Sequence, residues 1–163
     1  MFGGGPWARI LHPFLGLLMV LGFAVLFAQV WRDNLWTPLD SDWLRHSGQL
    51  ISGHEEGMTP VAKYNAGQKL VFWVSATCLG VLLATGFVFW RQWFADAYPL
   101  PLRRAAVVLH ATAAAILILS VIVHAYAAIW VKGSVRAMTR GAVSEAWARR
   151  HHPLWYCEIS GGR

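Results

Sequence analysis

Acidic residues and cysteines are scarce in this chain. Of 163 residues only 8 are Asp or Glu, against 14 Lys or Arg, which leaves a formal charge of +6. Charged residues make up 13% of the chain, while 56% is hydrophobic. That is too apolar for a soluble domain of this size. The two cysteines, Cys78 and Cys157, lie far apart, and no CxxC or CxxCH occurs. This argues against an iron–sulphur site and against covalently attached haem. Cys78 falls within an apolar run and reads as a small filler. No internal repeat is evident, and low complexity is limited to Gly3-Gly4-Gly5. The first apolar run is long, has only Arg9 as a basic lead-in, and is followed by no small-x-small site, so it is not expected to be a removable leader.

What is present is apolar length and tryptophan, of which there are ten. Three runs are long enough to cross a bilayer. They cover about 10–31, 70–94 and 105–131. The expected fold class is therefore all-α integral membrane, a transmembrane helix bundle with three spans and a basic interfacial C-terminal tail. Residues 1–163 are read as one membrane domain. The second run ends in WRQWF, an aromatic belt with an anchoring arginine. A polar connection at 32–69 carries Asp33, Asp40, Asp42, Glu55 and Glu56 and turn formers such as Ser52-Gly53 and Thr59-Pro60. Trp36 and Trp43 place it near the interface. A tight proline-containing link at 96–104 joins the second and third runs. The tail at 132–163 spaces Trp147, Trp155 and Tyr156 among arginines and is expected on the membrane surface.

The basic residues divide unevenly between the two sides that three spans define. Arg9, Arg91, Arg103 and Arg104 fall on the side of the N-terminus. Arg32, Arg45, Lys63, Lys69, Lys132, Arg136, Arg140, Arg149, Arg150 and Arg163 fall on the other. The positive-inside rule puts that richer side in the cytoplasm and the N-terminus in the periplasm. The positive charge therefore implies a membrane surface and not a nucleic acid as the partner.

Two histidines lie in the third run. His110 and His124 are fourteen residues apart. At about 100° per residue the second returns to within about 40° of the first, roughly 21 Å further along the axis. His12 lies at the start of the first run, on the same outer side as His110, and both runs point the same way. Their imidazoles can therefore share one depth. A b-type haem held by two helices needs one imidazole from each, with small residues a turn away so that a flat ring can approach. Gly16 follows His12 by one turn, Ala106 and Ala114 flank His110, and Ser120 and Ala128 flank His124. Small residues also serve as plain helix-packing surface, and a lone His124 could equally be a hydrogen-bonding or proton-relay group.

Two more stretches stand out. Lys63-Tyr64-Asn65-Ala66-Gly67-Gln68-Lys69 enters the second span from the cytoplasmic side. Asn65 and Gln68 offer amide donors and acceptors and Gly67 allows close approach, as a quinone would require. On the residues alone a helix cap at Asn65 is the simpler explanation. In the tail, His151-His152 has no carboxylate or cysteine cluster beside it to form a metal site. A solvated basic segment at 141–158 is the expectation.

Five motifs together resemble the gamma subunit of respiratory formate dehydrogenase, the membrane cytochrome b subunit. They are RILHPFLG at 9–16, KYNAGQK at 63–69, VLHATAA at 108–114, IVHAYAAIWVKGS at 122–134 and AVSEAWARRHHPLWY at 142–156. They run in family order through nearly the whole chain. The resemblance implies a quinone-reducing module of anaerobic respiration in a bacterial inner membrane. It carries two haems b and docks to an iron–sulphur beta subunit and a molybdenum or tungsten alpha subunit that oxidises formate. By motif, His12 and His110 would hold the outer haem iron. His124 would be one ligand of the inner haem and would line the quinone pocket with Asn65, Gly67 and Gln68. No formate-oxidising residues are expected here. Related alternatives are a diheme cytochrome b serving a hydrogenase or another molybdenum enzyme, and a haem-free anchor. The family has a further span before RILHPFLG, whose Cys-His-Trp motif supplies the inner haem's second histidine. This chain starts at MFGGGPW, so one complete haem site is expected within it. Assembly into a higher oligomer is left open.

Overall fold

The computed structural model describes residues 5–51, 59–131 and 133–161. Gly3-Gly4, Ser52-Gly53, His54, Glu55, Glu56, Lys132 and Arg163 lie outside the described residues. In chain order the helices are α1 (Gly5–Val30), α2 (Pro38–Ile51), α3 (Ala66–Phe89), α4 (Leu100–Trp130), α5 (Ser134–Arg140), α6 (Glu145–His151) and α7 (Pro153–Ser160). A single 3-10 turn, Ala95–Ala97, precedes α4. No strand occurs among the described residues.

Helices α1, α3 and α4 are long and apolar enough to cross a membrane. Their 24 to 31 residues correspond to about 36–46 Å of helix, against a hydrocarbon core of about 30 Å. Their starts lie four or five residues before the apolar runs for local reasons. Helix α4 begins at Leu100, five residues before the apolar run, because Pro101 in the first turn needs no N–H partner and its fixed φ suits a helix start. Helix α1 passes through Pro13, whose missing N–H frees one carbonyl a turn earlier, a defect that membrane helices tolerate. Outward positions such as Leu18, Leu21, Val108, Leu119 and Ile129 are each more than half exposed. Such apolar faces suit hydrocarbon and not water.

The chain divides into two compact units. The first takes Met1–Val30 and Trp73–Val121. Its interior is lined by small or polar side chains at helical spacing. Cys78, Leu79 and Thr85 are buried on α3, and Ala106 and Ala113 on α4. Aromatic rings close it: Phe14 meets Trp90 edge-on at 5.7 Å, and Phe87 meets Phe94 at 5.3 Å. The expected aromatic belt is thus a packed cluster around Trp90.

The second unit takes Trp31–Phe72 and Ile122–Arg163. Here the structure adds an element to the expected polar connection. Residues 38–51 form α2 because the Asp40 carboxylate reaches back to satisfy Thr37 at the helix start and Pro38 suits the first helical position. The Thr37 N–H and hydroxyl each donate to Asp40 Oδ2 at 2.7 Å. The tail also departs from a solvated segment. Its three short helices fold back on 61–62: the Leu154 N–H donates to the Val61 carbonyl at 3.2 Å, and His152 Nδ1–H to the Ala62 carbonyl at 2.8 Å. His152 is buried and lies between Trp147 and Trp155.

One glycine in the tail is sterically required. Gly133 has φ +95°, and a Cβ there would come within 2.6 Å of Trp147 Nε1. Gly141 has φ +63° but open space around it. Left-handed backbone costs a non-glycine residue about 1–2 kcal/mol. Gly141→Ala should therefore lower stability by about that amount, and Gly133→Ala by more, because the Trp147 ring must also move. Paired thermal melts in detergent check this; equal shifts for the two variants would contradict it.

Candidate functional site

In the first unit His12 on α1 and His110 on α4 face each other. Their ring centroids are 6.1 Å apart with the planes crossed at 72°. His110 is half-buried and His12 exposed. Helix α3 holds the His110 ring from one side. Phe89 packs edge-on at 5.1 Å, and a Cβ at Gly86 would already be in ordinary contact with His110 Cε1 at 3.6 Å. The Thr85 hydroxyl sits 2.9 Å from His110 Nδ1. Small residues, Ala106 and Ala113, are the buried positions of α4 on either side of His110, and no atom outside its own helix turn lies within 4 Å of where a Gly16 Cβ would stand.

The residues fit a haem. Two imidazoles sharing one metal have ring centres about 6 Å apart, from metal–nitrogen bonds of about 2 Å and roughly 1 Å from nitrogen to ring centre. The observed 6.1 Å matches. Among the described residues no three His, Cys, Asp or Glu come together as a metal cluster. A pair suffices for an iron whose other four positions a porphyrin fills.

In the second unit the structure brings Asn65, Gly67 and Gln68 together at the start of α3. They form a reciprocal capping box. The Asn65 N–H donates to Gln68 Oε1 at 2.9 Å, and the Gln68 N–H to Asn65 Oδ1 at 2.8 Å. The helix cap that the residues alone favoured is therefore present. It uses the amide oxygens and leaves the side-chain NH₂ groups as donors. A Cβ at Gly67 would be in ordinary contact with Asn65 and Trp43. His124 is half-buried on α4. It has no hydrogen-bond, ionic or ring partner among the described residues, and no hydrogen bond joins it to the box.

Sequence reasoning missed the strongest electrostatic feature of this unit. Lys69 Nζ donates to Asp40 Oδ2 at 2.8 Å and to the Leu35 carbonyl at 3.0 Å. Both side chains are less than a tenth exposed. The pair borders a cavity of about 20 Å³ lined also by Thr37, Trp43, Tyr64 and Asn65. That is room for one water and not for a quinone ring. The TPLD start of α2 signalled the Asp40 cap, but nothing in the sequence joined Asp40 to a lysine 29 residues on.

Comparisons with known proteins agree on one group. Residues 2–141 match the family described as prokaryotic cytochrome b561. The chain is 44% identical over 159 residues to the formate dehydrogenase cytochrome b556(fdo) subunit of Escherichia coli strain K12, an alignment covering 98% of this chain and 74% of that protein. It is 40% identical over 158 residues to the nitrate-inducible cytochrome b556(Fdn) subunit of formate dehydrogenase from the same strain, covering 97% and 73%. A formate dehydrogenase cytochrome b556 subunit of Haemophilus influenzae is 39% identical over 151 residues, covering 93% and 63%.

Two expectations follow from the second unit's electrostatics. Burial pushes the Asp40 carboxyl up, but hydrogen bonds from Lys69 and Thr37 outweigh it and hold the group below its ordinary 3.8. The folded state favours the carboxylate, so this stabilisation is complete above about pH 4 and is lost as pH falls through the lower folded value. Burial holds the His152 imidazole below its ordinary 6.5, offset in part by the bond to Ala62. The folded state favours the neutral ring, so its contribution is complete above about pH 6.5 and is lost on acidification below that. Acidification from pH 7 should therefore loosen the tail first, read as a change in tryptophan fluorescence that His152→Gln shifts or removes. An identical pH profile in that variant would contradict the assignment. Lys69→Met should cost about 3–5 kcal/mol by leaving Asp40 buried and unpaired, and adding Asp40→Leu should recover part of it; urea melts give both numbers.

Proposed function

The chain belongs to the prokaryotic cytochrome b561 family, and we propose that it serves as the quinone-reducing cytochrome b subunit of a formate dehydrogenase complex in anaerobic respiration. As a family member it is a multi-pass helical membrane protein, and the family implies haem b as its cofactor. The identity of 40–44% to formate dehydrogenase subunits favours that complex over a hydrogenase. Formate oxidation would belong to a molybdenum or tungsten alpha subunit and electron delivery to an iron–sulphur beta subunit. In this reading the membrane is a bacterial inner membrane, with the N-terminus periplasmic and the tail from residue 132 cytoplasmic, which the charge asymmetry supports. Residues 1–163 act as one cytochrome b domain in this proposal.

Haem b, when bound, supplies reversible one-electron transfer. His12 and His110 hold the iron of the outer haem. The approach of these two rings to 6.1 Å is the observation that carries the proposal. Two imidazoles there would leave the iron no open position for a substrate and would suit the site to electron transfer. His124 supplies one ligand to an inner haem, whose second ligand comes from another segment, and lines the quinone pocket. The free NH₂ groups of Asn65 and Gln68 donate to the quinone carbonyls, and Gly67 lets the ring near the backbone. A water-sized cavity beside Asn65, bounded by Asp40 and Lys69, would hold one water next to the quinone's hydrogen-bond donors.

His12→Ala and His110→Ala should each abolish the outer haem signal in a pyridine-haemochrome and redox-difference spectrum. A normal spectrum in either variant would break the pairing. Asn65→Ala should slow quinol formation severalfold while leaving haem content unchanged; turnover equal to that of the unmodified complex would leave Asn65 as a helix cap alone.

A further inference from the structure

The Thr85 side chain is a buried polar group of α3 against His110, and the Leu82 carbonyl of the same helix also lies within reach of that ring. Thr85 is 7% exposed. Its hydroxyl lies 2.6 Å from the Val81 carbonyl and 3.3 Å from the Leu82 carbonyl. That back-bonding is common for threonine in helices and by itself explains a Thr in an apolar run. It does not explain the third contact, 2.9 Å to His110 Nδ1 on another helix.

The direction of this third bond is determined by proton count. A hydroxyl carries one proton and two lone pairs. The proton is committed to the Val81 carbonyl at the shorter distance. With that proton placed on Val81, Thr85 Oγ1 meets the imidazole as an acceptor and His110 carries its proton on Nδ1. Nε2 is then left with its lone pair, the form in which an imidazole ligates iron. Phe89, one turn further along α3, packs edge-on against the ring at 5.1 Å and limits its rotation; Gly86 leaves the ring room to approach the helix. His12 has no such hydrogen-bond partner among the described residues.

We propose that Thr85 is a positioning residue for the haem. Its Oγ1 fixes the tautomer and orientation of His110 and, by drawing on the Nδ1–H, makes Nε2 a stronger donor to the iron. A stronger donor stabilises the ferric state and lowers the reduction potential. The oxygen of Thr85, not its methyl group, sets this effect. The inference rests on His110 being a haem ligand, as proposed above.

The test is a redox titration of the assembled complex carrying Thr85→Val, Thr85→Ser or His110→Ala, with haem content measured alongside. The relevant signal is the one that His110→Ala removes. Thr85→Val keeps the shape and removes the acceptor. It should retain haem and raise the midpoint potential; a tenfold change in the ferric-to-ferrous ratio would appear as ~59 mV. Thr85→Ser should titrate close to the unmodified protein. Loss of haem in Thr85→Val with retention in Thr85→Ser would also support the role of the hydroxyl. An unchanged midpoint in Thr85→Val overturns the inference. So does an equal shift, or an equal loss of haem, in both threonine variants, which would mean that the methyl group packs the site. If His110→Ala keeps the full haem signal, the ligand assignment fails and takes this inference with it, independently of either threonine variant.

Discussion

A polar or ionisable side chain inside a bilayer persists only if something satisfies it. That constraint governs the first unit. Its helices are apolar nearly throughout, and the exceptions converge. His12 approaches His110, and Thr85 turns its oxygen to the same ring. Around them the buried positions are small, with Ala106 and Ala113 on α4 and a glycine at 86 on α3. The small residues let the helices and rings approach closely. Under the proposed role, the cofactor's requirement for two imidazoles and the membrane's intolerance of unpartnered ones are met by the same pair.

The second unit meets a different problem, that of ending helices near an interface. Helix α2 starts with the Asp40 carboxylate reaching back to Thr37, and α3 with a reciprocal capping box of Asn65 and Gln68. The two starts are tied by the buried Lys69–Asp40 pair, so one carboxylate caps a helix and neutralises an ammonium. Breaking a buried pair costs several kcal/mol because a lone charge remains. The tail adds a further tie by donating from His152 and the Leu154 backbone to the carbonyls of 61 and 62. The segment 59–69 is thereby fixed from both sides. Such fixing is what a site needs if amide donors are to meet a substrate's oxygens reproducibly.

Much of the architecture was legible because apolar length is a local signal. The three long helices follow from runs that nothing else explains. The meeting of His12 with His110 follows from two spans entering from one side in one direction. Other features were illegible for physical reasons. The partners of His152 and of Leu154 are backbone carbonyls some ninety residues earlier, and a carbonyl has no identity in a sequence. The Lys69–Asp40 pair depends on two helix starts coming together. Helix α2 was obscured by the charges and turn formers around it, although Thr37-Pro38-Leu39-Asp40 carries a helix-start signature. In the KYNAGQK segment the observed cap does not exclude the proposed binding role. The amide oxygens of Asn65 and Gln68 cap α3, and their nitrogens stay available.

The claim at the centre is that His12 and His110 bind one iron between crossed imidazole planes. Electron paramagnetic resonance of the oxidised protein addresses it directly. Two imidazoles held near the observed 72° predict a low-spin ferric signal of large anisotropy, lost in both His12→Ala and His110→Ala. A high-spin ferric signal in its place in the intact protein, or survival of that large-anisotropy signal in either substitution, would contradict the account.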